Sequence, residues 1–348
     1  MKNRILCHII LLCIIIGVFT SCTQTNSEKN KYSSYSMEYF DTVTTITGYE
    51  YSKEAFDAVA EDILSQLGEY HRLFSIYHRF DSLENLCTIN ELVDGEHRTV
   101  SVDRRIIDML LYAKEMYYKT NGILNIAMGS VLSLWHDYRT IGKDNPEQAS
   151  LPPMKKLVSA SEHCDIEKLI IDTENNTVTL LDPLMKLDVG AIAKGYAVEC
   201  IAKKLEADGV TGYVLNVGGN VRTIGSKADG MPWAVGIENP DSDDYFAYLN
   251  LNGQSLVTSG SYQRFYYVDG KAYHHIIHPD TLMPAEGFLS VSIVCNDSGL
   301  ADALSTALFC MSQEEGSAII ESVPGAEALW VTHDGNKISS SGWSKYEK

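Results

Sequence analysis

The sequence is poor in cations. Of its 348 residues only 28 are Lys or Arg against 46 Asp or Glu, a formal net charge of −18. Nucleic-acid binding draws on a basic patch or stripe, and no such cluster is present, so no nucleic-acid partner is expected. A phosphate-bearing ligand has to be received by a metal ion, backbone amides or a few placed cations. The chain also lacks G-x-x-x-x-G-K-[ST], a G-x-G-x-x-G turn after a strand, a C-x-x-C pair and H-E-x-x-H, which removes the commonest nucleotide and zinc signatures. There is no internal repeat, and beyond the first segment no apolar run approaches the about 20 residues that span a bilayer.

That first segment is an address. Lys2 and Arg4 precede an almost unbroken apolar run from Ile5 to Phe19, and Thr20-Ser21-Cys22 follows. A basic start, a short apolar core and small residues before a Cys read as a bacterial lipoprotein signal peptide over residues 1–21. Cys22 is then the lipidated first residue, and the body sits at the bacterial cell membrane, lipid-anchored and facing the extracytoplasmic side. Residues 22–36, rich in Ser, Asn, Thr, Lys and Glu, read as a flexible linker, and residues 37–348 as the folded body. Cys7 and Cys13 leave with the signal; Cys87, Cys164, Cys200, Cys295 and Cys310 remain. Their spacing demands no disulfide, and they read as mostly buried small apolar side chains.

With 45% hydrophobic and 21% charged residues the composition is that of a globular protein. Apolar spacing predicts helices over 53–70, 103–119, 192–207 and 299–311, and the Pro-bearing stretch 144–153 reads as a loop. Short β-branched runs predict strands at 40–46, 169–171, 177–180, 213–217, 233–237, 247–251, 255–259, 265–268, 274–277 and 290–294. Several connections are too short for crossover helices. The expected fold is therefore α+β: mixed, largely antiparallel sheets with flanking helices in one large domain.

Four segments in the second half carry chemistry. Leu187-Asp188-Val189-Gly190-Ala191-Ile192-Ala193-Lys194-Gly195-Tyr196 is a strand end, a small-residue turn and a helix start, where glycine lets backbone approach a ligand and a helix N-terminus favours phosphate oxygens. Asn216-Val217-Gly218-Gly219-Asn220 is again a strand followed by paired glycines, and by itself an ordinary turn. Val257 to Tyr262 leads on to Tyr273-His274-His275-Ile276-Ile277-His278-Pro279. On a strand His274 and His278 share one face and His275 takes the other, so a three-histidine metal site is disfavoured and a lone general base preferred. In Gly299 to Leu308, Asp302 and Thr306 lie one helical turn apart, a carboxylate and a hydroxyl stacked as oxygen ligands for a hard cation; the plainer alternative is a dipole-stabilising Asp and a back-bonded Thr.

The ordered set D-x-G-A-x-A-K-G-Y-A, N-x-G-G-N-x-R, T-S-G-x-Y-x-R-F, H-H-I-I-x-P and A-D-A-L-S-T-A-L resembles the ApbE family, the FAD:protein FMN transferases. Phe40-Asp41-Thr42, Phe74-Ser75-Ile76-Tyr77 and Gly122-Ile123-Leu124-Asn125 look like its earlier signatures, so the resemblance runs from about Met37 to the C-terminus. It implies an ApbE-like, T-fold-related domain that uses Mg²⁺ to split FAD and attach FMN to a Thr or Ser of a target redox protein, an acceptor flavoprotein subunit of an electron-transfer system, with AMP released. Two other outcomes use the same site: a Mg²⁺-dependent FAD pyrophosphatase giving FMN and AMP, or a non-catalytic flavin-binding lipoprotein. Carried over by position, the resemblance implies metal ligands at Ala191 (backbone carbonyl), Asp302 and Thr306. It implies FAD contacts at Phe40, Tyr77, Ile123, Leu124, Asn125, Asp188, Lys194 and Ile276, and His275 as the base. The family usually has Asp at the position of His278, Gly at that of Leu282 and often Asp at that of Asn125.

Overall fold

The computed structural model describes residues 28–91, 98–240, 242 and 244–348. The expected signal peptide, Cys22 and the start of the linker lie outside the described residues. In chain order the elements are β1 (Asn30–Ser36), β2 (Thr44–Glu50), α1 (Lys53–Phe74), α2 (Leu86–Glu91), β3 (Arg98–Ser101), α3 (Arg104–Lys119), α4 (Gly129–Asp144) and α5 (Met154–Ser161). There follow β4 (Leu169–Asp172), β5 (Thr177–Leu180), α6 (Ala193–Ala207), β6 (Tyr213–Val217), β7 (Asn220–Ile224), β8 (Trp233–Glu238), β9 (Tyr245–Leu251) and β10 (Ser255–Gly260). The chain ends with β11 (Phe265–Val268), β12 (Lys271–His274), β13 (Ser290–Cys295), α7 (Ser298–Phe309), α8 (Gln313–Ser322), β14 (Glu327–Val331) and β15 (Lys337–Ser339).

Eight strands form one antiparallel sheet in the order β1-β2-β6-β7-β10-β13-β14-β15. Two-residue alternation sends Val257, Ile293 and Trp330 into a core with Leu304 and Leu308 of α7, while Leu256, Val294 and Leu329 face Ile237, Leu249, Leu251 and Trp343 on the other side. Covered on both faces, β7 and β13 are buried along their whole length. A second apolar cluster packs Phe56, Ile63 and Leu67 of α1 and Val198 and Ile201 of α6 against Ile46, Tyr213 and Leu215. The mixed α+β, single-domain expectation holds.

The linker expectation over 22–36 is corrected in its second half, because Asn30–Ser36 is an edge strand paired with β2 from Asn30↔Glu50 to Ser36↔Thr44. An edge strand needs only one partner and little apolar area. Here Tyr32 packs on Phe56 with ring centroids 5.6 Å apart, and the Ser33 and Thr47 hydroxyls are 3.0 Å apart, contacts that aliphatic content does not register. The expected strand 274–277 is also corrected: the ladder ends at His274, whose Nε2 lies 2.9 Å from the Ala285 carbonyl and whose Nδ1 accepts from Ile276 N at 3.2 Å. The expected strand 40–46 begins only at Thr44. Phe40 and Asp41 take left-handed φ values of 56° and 50°, and the Phe40 amide donates to His71 Nδ1 at 3.2 Å.

The most buried ion pair ties α6 to the sheet. Arg222 on β7, 3% exposed, donates to Glu199 Oε2 at 3.0 Å, to Glu206 Oε1 at 3.0 Å and to the Gly253 carbonyl at 2.8 Å. Glu199 Oε2 also accepts from Ser298 N at the start of α7 at 2.8 Å. The Arg that closes the N-x-G-G-N-x-R motif thus lies behind the cavity described below. Removing one partner of such a pair leaves a buried charge uncompensated. Arg222→Met should therefore cost about 3–5 kcal/mol of stability, read by denaturant unfolding. A loss within the ordinary surface range of about 0.5 kcal/mol would show that the pair does not hold α6 in place.

Candidate active site

One cavity of ≈ 670 Å³ opens where the ends of β6, β7 and β10 meet the first turn of α6 and the middle of α7, and it is lined by every residue expected at the site: Phe40, Tyr77, Ile123, Leu124, Asn125, Asp188, Ala191, Lys194, His275, Ile276, Asp302 and Thr306. Glycine permits the convergence. At Gly195 a Cβ would stand 2.4 Å from both Asp302 Cβ and the Ser298 carbonyl oxygen. At Gly218, φ 57°, it would stand 2.2 Å from Thr42 Oγ1. Asn216 Oδ1 accepts from Gly219 N at 2.9 Å and shapes that turn.

Asp302, 3% exposed, accepts from Gly195 N at 2.8 Å and faces Lys194 Nζ at 3.2 and 3.3 Å. Thr306 Oγ1 lies 3.2 Å from Ser259 Oγ, which is also 2.8 Å from Ser305 Oγ. The donor set that Asp302, Thr306 and the Ala191 carbonyl can offer is all oxygen, one of it anionic, which suits a hard divalent ion. The Lys194 ammonium beside the carboxylate shows that positive charge is accommodated there.

The three histidines go separate ways. His274 holds the backbone turn, and His278 Nδ1 accepts from Asp280 N at 3.1 Å. Only His275 lines the cavity, and its Nδ1 is buried with no hydrogen-bond partner. Burial first, then the Arg264 and Arg139 guanidiniums, then His274, hold its pKa down at about 3. The ring is therefore neutral at pH 7, with a free nitrogen that can accept a proton. Asp188 accepts from Gly190 N at 2.9 Å, and enclosure by the protein raises its pKa despite that bond and the nearby cations.

At the positions that depart from the family pattern, the backbone compensates. Leu282 adopts φ 59°, the left-handed conformation a glycine takes without strain. It is held by its own amide donating to the His278 carbonyl at 2.9 Å and by Trp135 Nε1 donating to its carbonyl at 2.9 Å. Asn125 donates to the Cys164 carbonyl at 2.9 Å and accepts from Ala127 N at 2.8 Å, a pairing that an ionised Asp cannot make in full.

The sequence motifs missed part of the wall. His136 and Arg139 reach the cavity from α4, and Tyr77 packs on His136 with ring centroids 5.1 Å apart. The only advance signal was their one-turn spacing on a helix that apolar periodicity did not reveal. The five cysteines are free thiols; Cys87, Cys295 and Cys310 are buried, and Cys164 and Cys200 partly so.

The ApbE family model matches residues 40–330. An FAD:protein FMN transferase of Treponema pallidum (strain Nichols) is 32% identical over 352 residues, covering 96% of this chain and 92% of the relative. One from Klebsiella pneumoniae (strain 342) is 32% identical over 281 residues, covering 78% and 84%. The crystal structure of the ApbE protein of Thermotoga maritima superposes with a TM-score of 0.79 at 29% identity, over 92% of this chain and 100% of that one. The flavin transferase ApbE of Vibrio cholerae gives 0.75 at 25% identity, over 91% and 99%.

The His275 environment sets a titration test. An unperturbed histidine charges near 6.5, whereas this ring, held down by burial and the neighbouring guanidiniums, should stay neutral as pH falls from 7 to 5, as an NMR titration would read. Over that interval the unfolded chain takes up a proton that the native ring refuses, so His275 lowers native stability as pH falls. His275→Gln should flatten that part of the acid limb, and a ring midpoint near 6.5 would contradict the assigned environment.

Proposed function

The chain belongs to the ApbE family, and from that premise we propose that it transfers FMN from FAD to a Thr or Ser hydroxyl of a target redox protein, releasing AMP. The observation that carries this reading is the meeting in one cavity of a neutral, unpartnered His275 nitrogen, the Lys194–Asp302 pair with Thr306, and the Tyr77–His136 aromatic wall. Flat rings stack on aromatic side chains, so Tyr77, His136 and Phe40 form the surface for a ring of the dinucleotide. Lys194 and the amides at the start of α6 face phosphate oxygens. His275 Nδ1 takes the proton of the acceptor hydroxyl as it attacks the flavin-side phosphorus, a contribution of about 10²–10⁴-fold, and the AMP oxygen leaves opposite. Asp302, Thr306 and the Ala191 carbonyl would hold Mg²⁺, which supplies neutralisation of pyrophosphate charge when bound. The acceptor is an electron-transfer flavoprotein subunit, met outside the cytoplasm by a body tethered through Cys22.

The test is incubation of the protein with FAD, Mg²⁺ and a Thr-containing acceptor, followed by mass spectrometry. The acceptor should gain the mass of FMN less water. Free FMN and AMP without modified acceptor would make the protein a pyrophosphatase, and bound but intact FAD a flavin carrier. Asp302→Asn should abolish transfer or demand far more Mg²⁺, with thermal melting as the folding control; superimposable Mg²⁺ curves for variant and wild type would sink the metal assignment. His275→Ala should lower transfer near neutral pH with FAD affinity nearly unchanged, because a base acts in the transition state.

Location has its own measurement. Cys22→Ser should move the body from the membrane to the soluble fraction in detergent-free fractionation while flavin transfer persists. A Ser variant that stays with the membrane refutes the lipid anchor.

A further inference from the structure

In a chain with an acidic excess, unpaired guanidiniums stand out. Arg79, Arg104, Arg105 and Arg222 each sit on a carboxylate. Among the described residues Arg72, Arg139 and Arg264 do not, and of these three Arg139 and Arg264 line the cavity. Arg139 contacts His136 Nδ1 at 3.1 Å through Nη2, and Arg264 Nη2 reaches only the Asp41 carbonyl at 3.5 Å. Among the described residues neither makes an ion pair, and both line the cavity. Burial first, with Arg264 among the charges adding to it, lowers the Arg139 pKa, so two like charges are held close together facing open space. The carboxylates of Asp41, Asp188 and Glu238 also line the cavity, but none forms an ion pair with either arginine among the described residues. A planar donor fork without a counter-ion is the arrangement that receives phosphate oxygens bidentately.

We propose that Arg139 and Arg264 form a guanidinium pair that binds the flavin-side phosphate of the substrate. The inference rests on the reading of His275 as base. Both arginines lie close enough to His275 to act on its charge. The base has to stand beside the attacking hydroxyl, and in an in-line displacement that hydroxyl approaches the phosphorus that stays with FMN while AMP departs on the far side. Cations beside the base therefore face the oxygens of the transferred phosphoryl group, and Lys194, with the ion that Asp302 would hold, remains for the rest of the pyrophosphate. Arg139 is anchored through His136, whose ring carries Tyr77. A stacking surface for the flavin and a charged socket for its phosphate are thus adjacent. Both are positioning residues, neither exchanging a proton in the reaction.

The test is equilibrium binding to the full mature chain in chelator, without Mg²⁺: FMN and riboflavin by flavin fluorescence, AMP by calorimetry. The variants are Arg139→Gln, Arg264→Gln and the charge-keeping Arg139→Lys. FMN affinity should fall about ten-fold or more in each Gln variant, the range set by a charge-assisted hydrogen bond. Riboflavin and AMP affinities should stay within about two-fold, Arg139→Lys should recover part of the loss, and the salt dependence of FMN binding should shrink. Equal losses of FMN and riboflavin would assign a merely structural role and overturn the proposal. So would a loss confined to AMP, or FMN affinity unchanged in both Gln variants. Should Arg139→Gln fail to melt cooperatively, the exposed Arg264→Gln decides by the same criteria. Wild-type protein that bound neither flavin would instead overturn the transferase reading beneath it.

Discussion

The close approach of α6 to α7 is the constraint on which the site depends. With Gly195 at the contact, the α6 backbone comes near enough for its amide to donate to Asp302, and Lys194 reaches the same carboxylate. One turn further along α6, Glu199 accepts from the first amide of α7 and from Arg222 of the sheet. The two helices and β7 are thus stitched both at the cavity floor and behind it. Ser298 Oγ, donating to Asn220 Oδ1 at 2.5 Å, adds a third link. A side chain at position 195 would separate the helices and take with it the spacing of Lys194, Asp302 and Thr306. This is why two motifs over a hundred residues apart in sequence act as one unit.

Legibility in the sequence followed how local each determinant was. Helices α1 and α3 announce themselves because each buries one stripe: Phe56, Ile63 and Leu67 in the first, Ile106, Ile107 and Leu110 in the second. Strands β5, β6 and β11 emerge with their observed limits because β-branched or aromatic residues fill them between turn residues. β1 escaped notice because its polar pattern is adequate only beside β2, a fact of tertiary pairing. Helix α4 escaped because it has only Gly129, Val131, Trp135 and Gly142 as buried positions, too sparse a stripe to read. All twelve residues that the motifs implied for the site line the cavity, yet Arg139 and His136, which also line it, ride on that unread helix.

The cavity gathers cations in which the chain as a whole is poor. A strongly acidic chain encloses a cavity whose lining carries Lys194, Arg139 and Arg264 beside the carboxylates of Asp41, Asp188, Glu238 and Asp302, of which, among the described residues, only Asp302 is paired with a cation. Walls of low dielectric focus the field of such groups, so the three cations act most strongly on an anion set directly against them. The uncompensated charges also explain why His275 is so reluctant to protonate. A third cation beside Arg264 and Arg139 is costly, and burial of the ring adds to that cost.

With phosphate bound by Arg139 and Arg264 as proposed, the two guanidiniums would couple ligand charge to the basicity of His275, and the sign follows from their charge. An anion set against Arg139 and Arg264 cancels much of the potential they impose on His275, while burial and His274 continue to act in the original direction. Proton affinity at Nδ1 would then rise with phosphate in place and fall when it leaves. A base with a pKa near 3 is a weak proton acceptor; one moved toward the working pH accepts a proton with less penalty at the transition state. Histidine left neutral in the unliganded protein costs less to bury than histidinium, so the fold tolerates the residue at this depth. The arrangement keeps the ring available without a fixed carboxylate partner, which would repel the phosphate and hold the ring protonated.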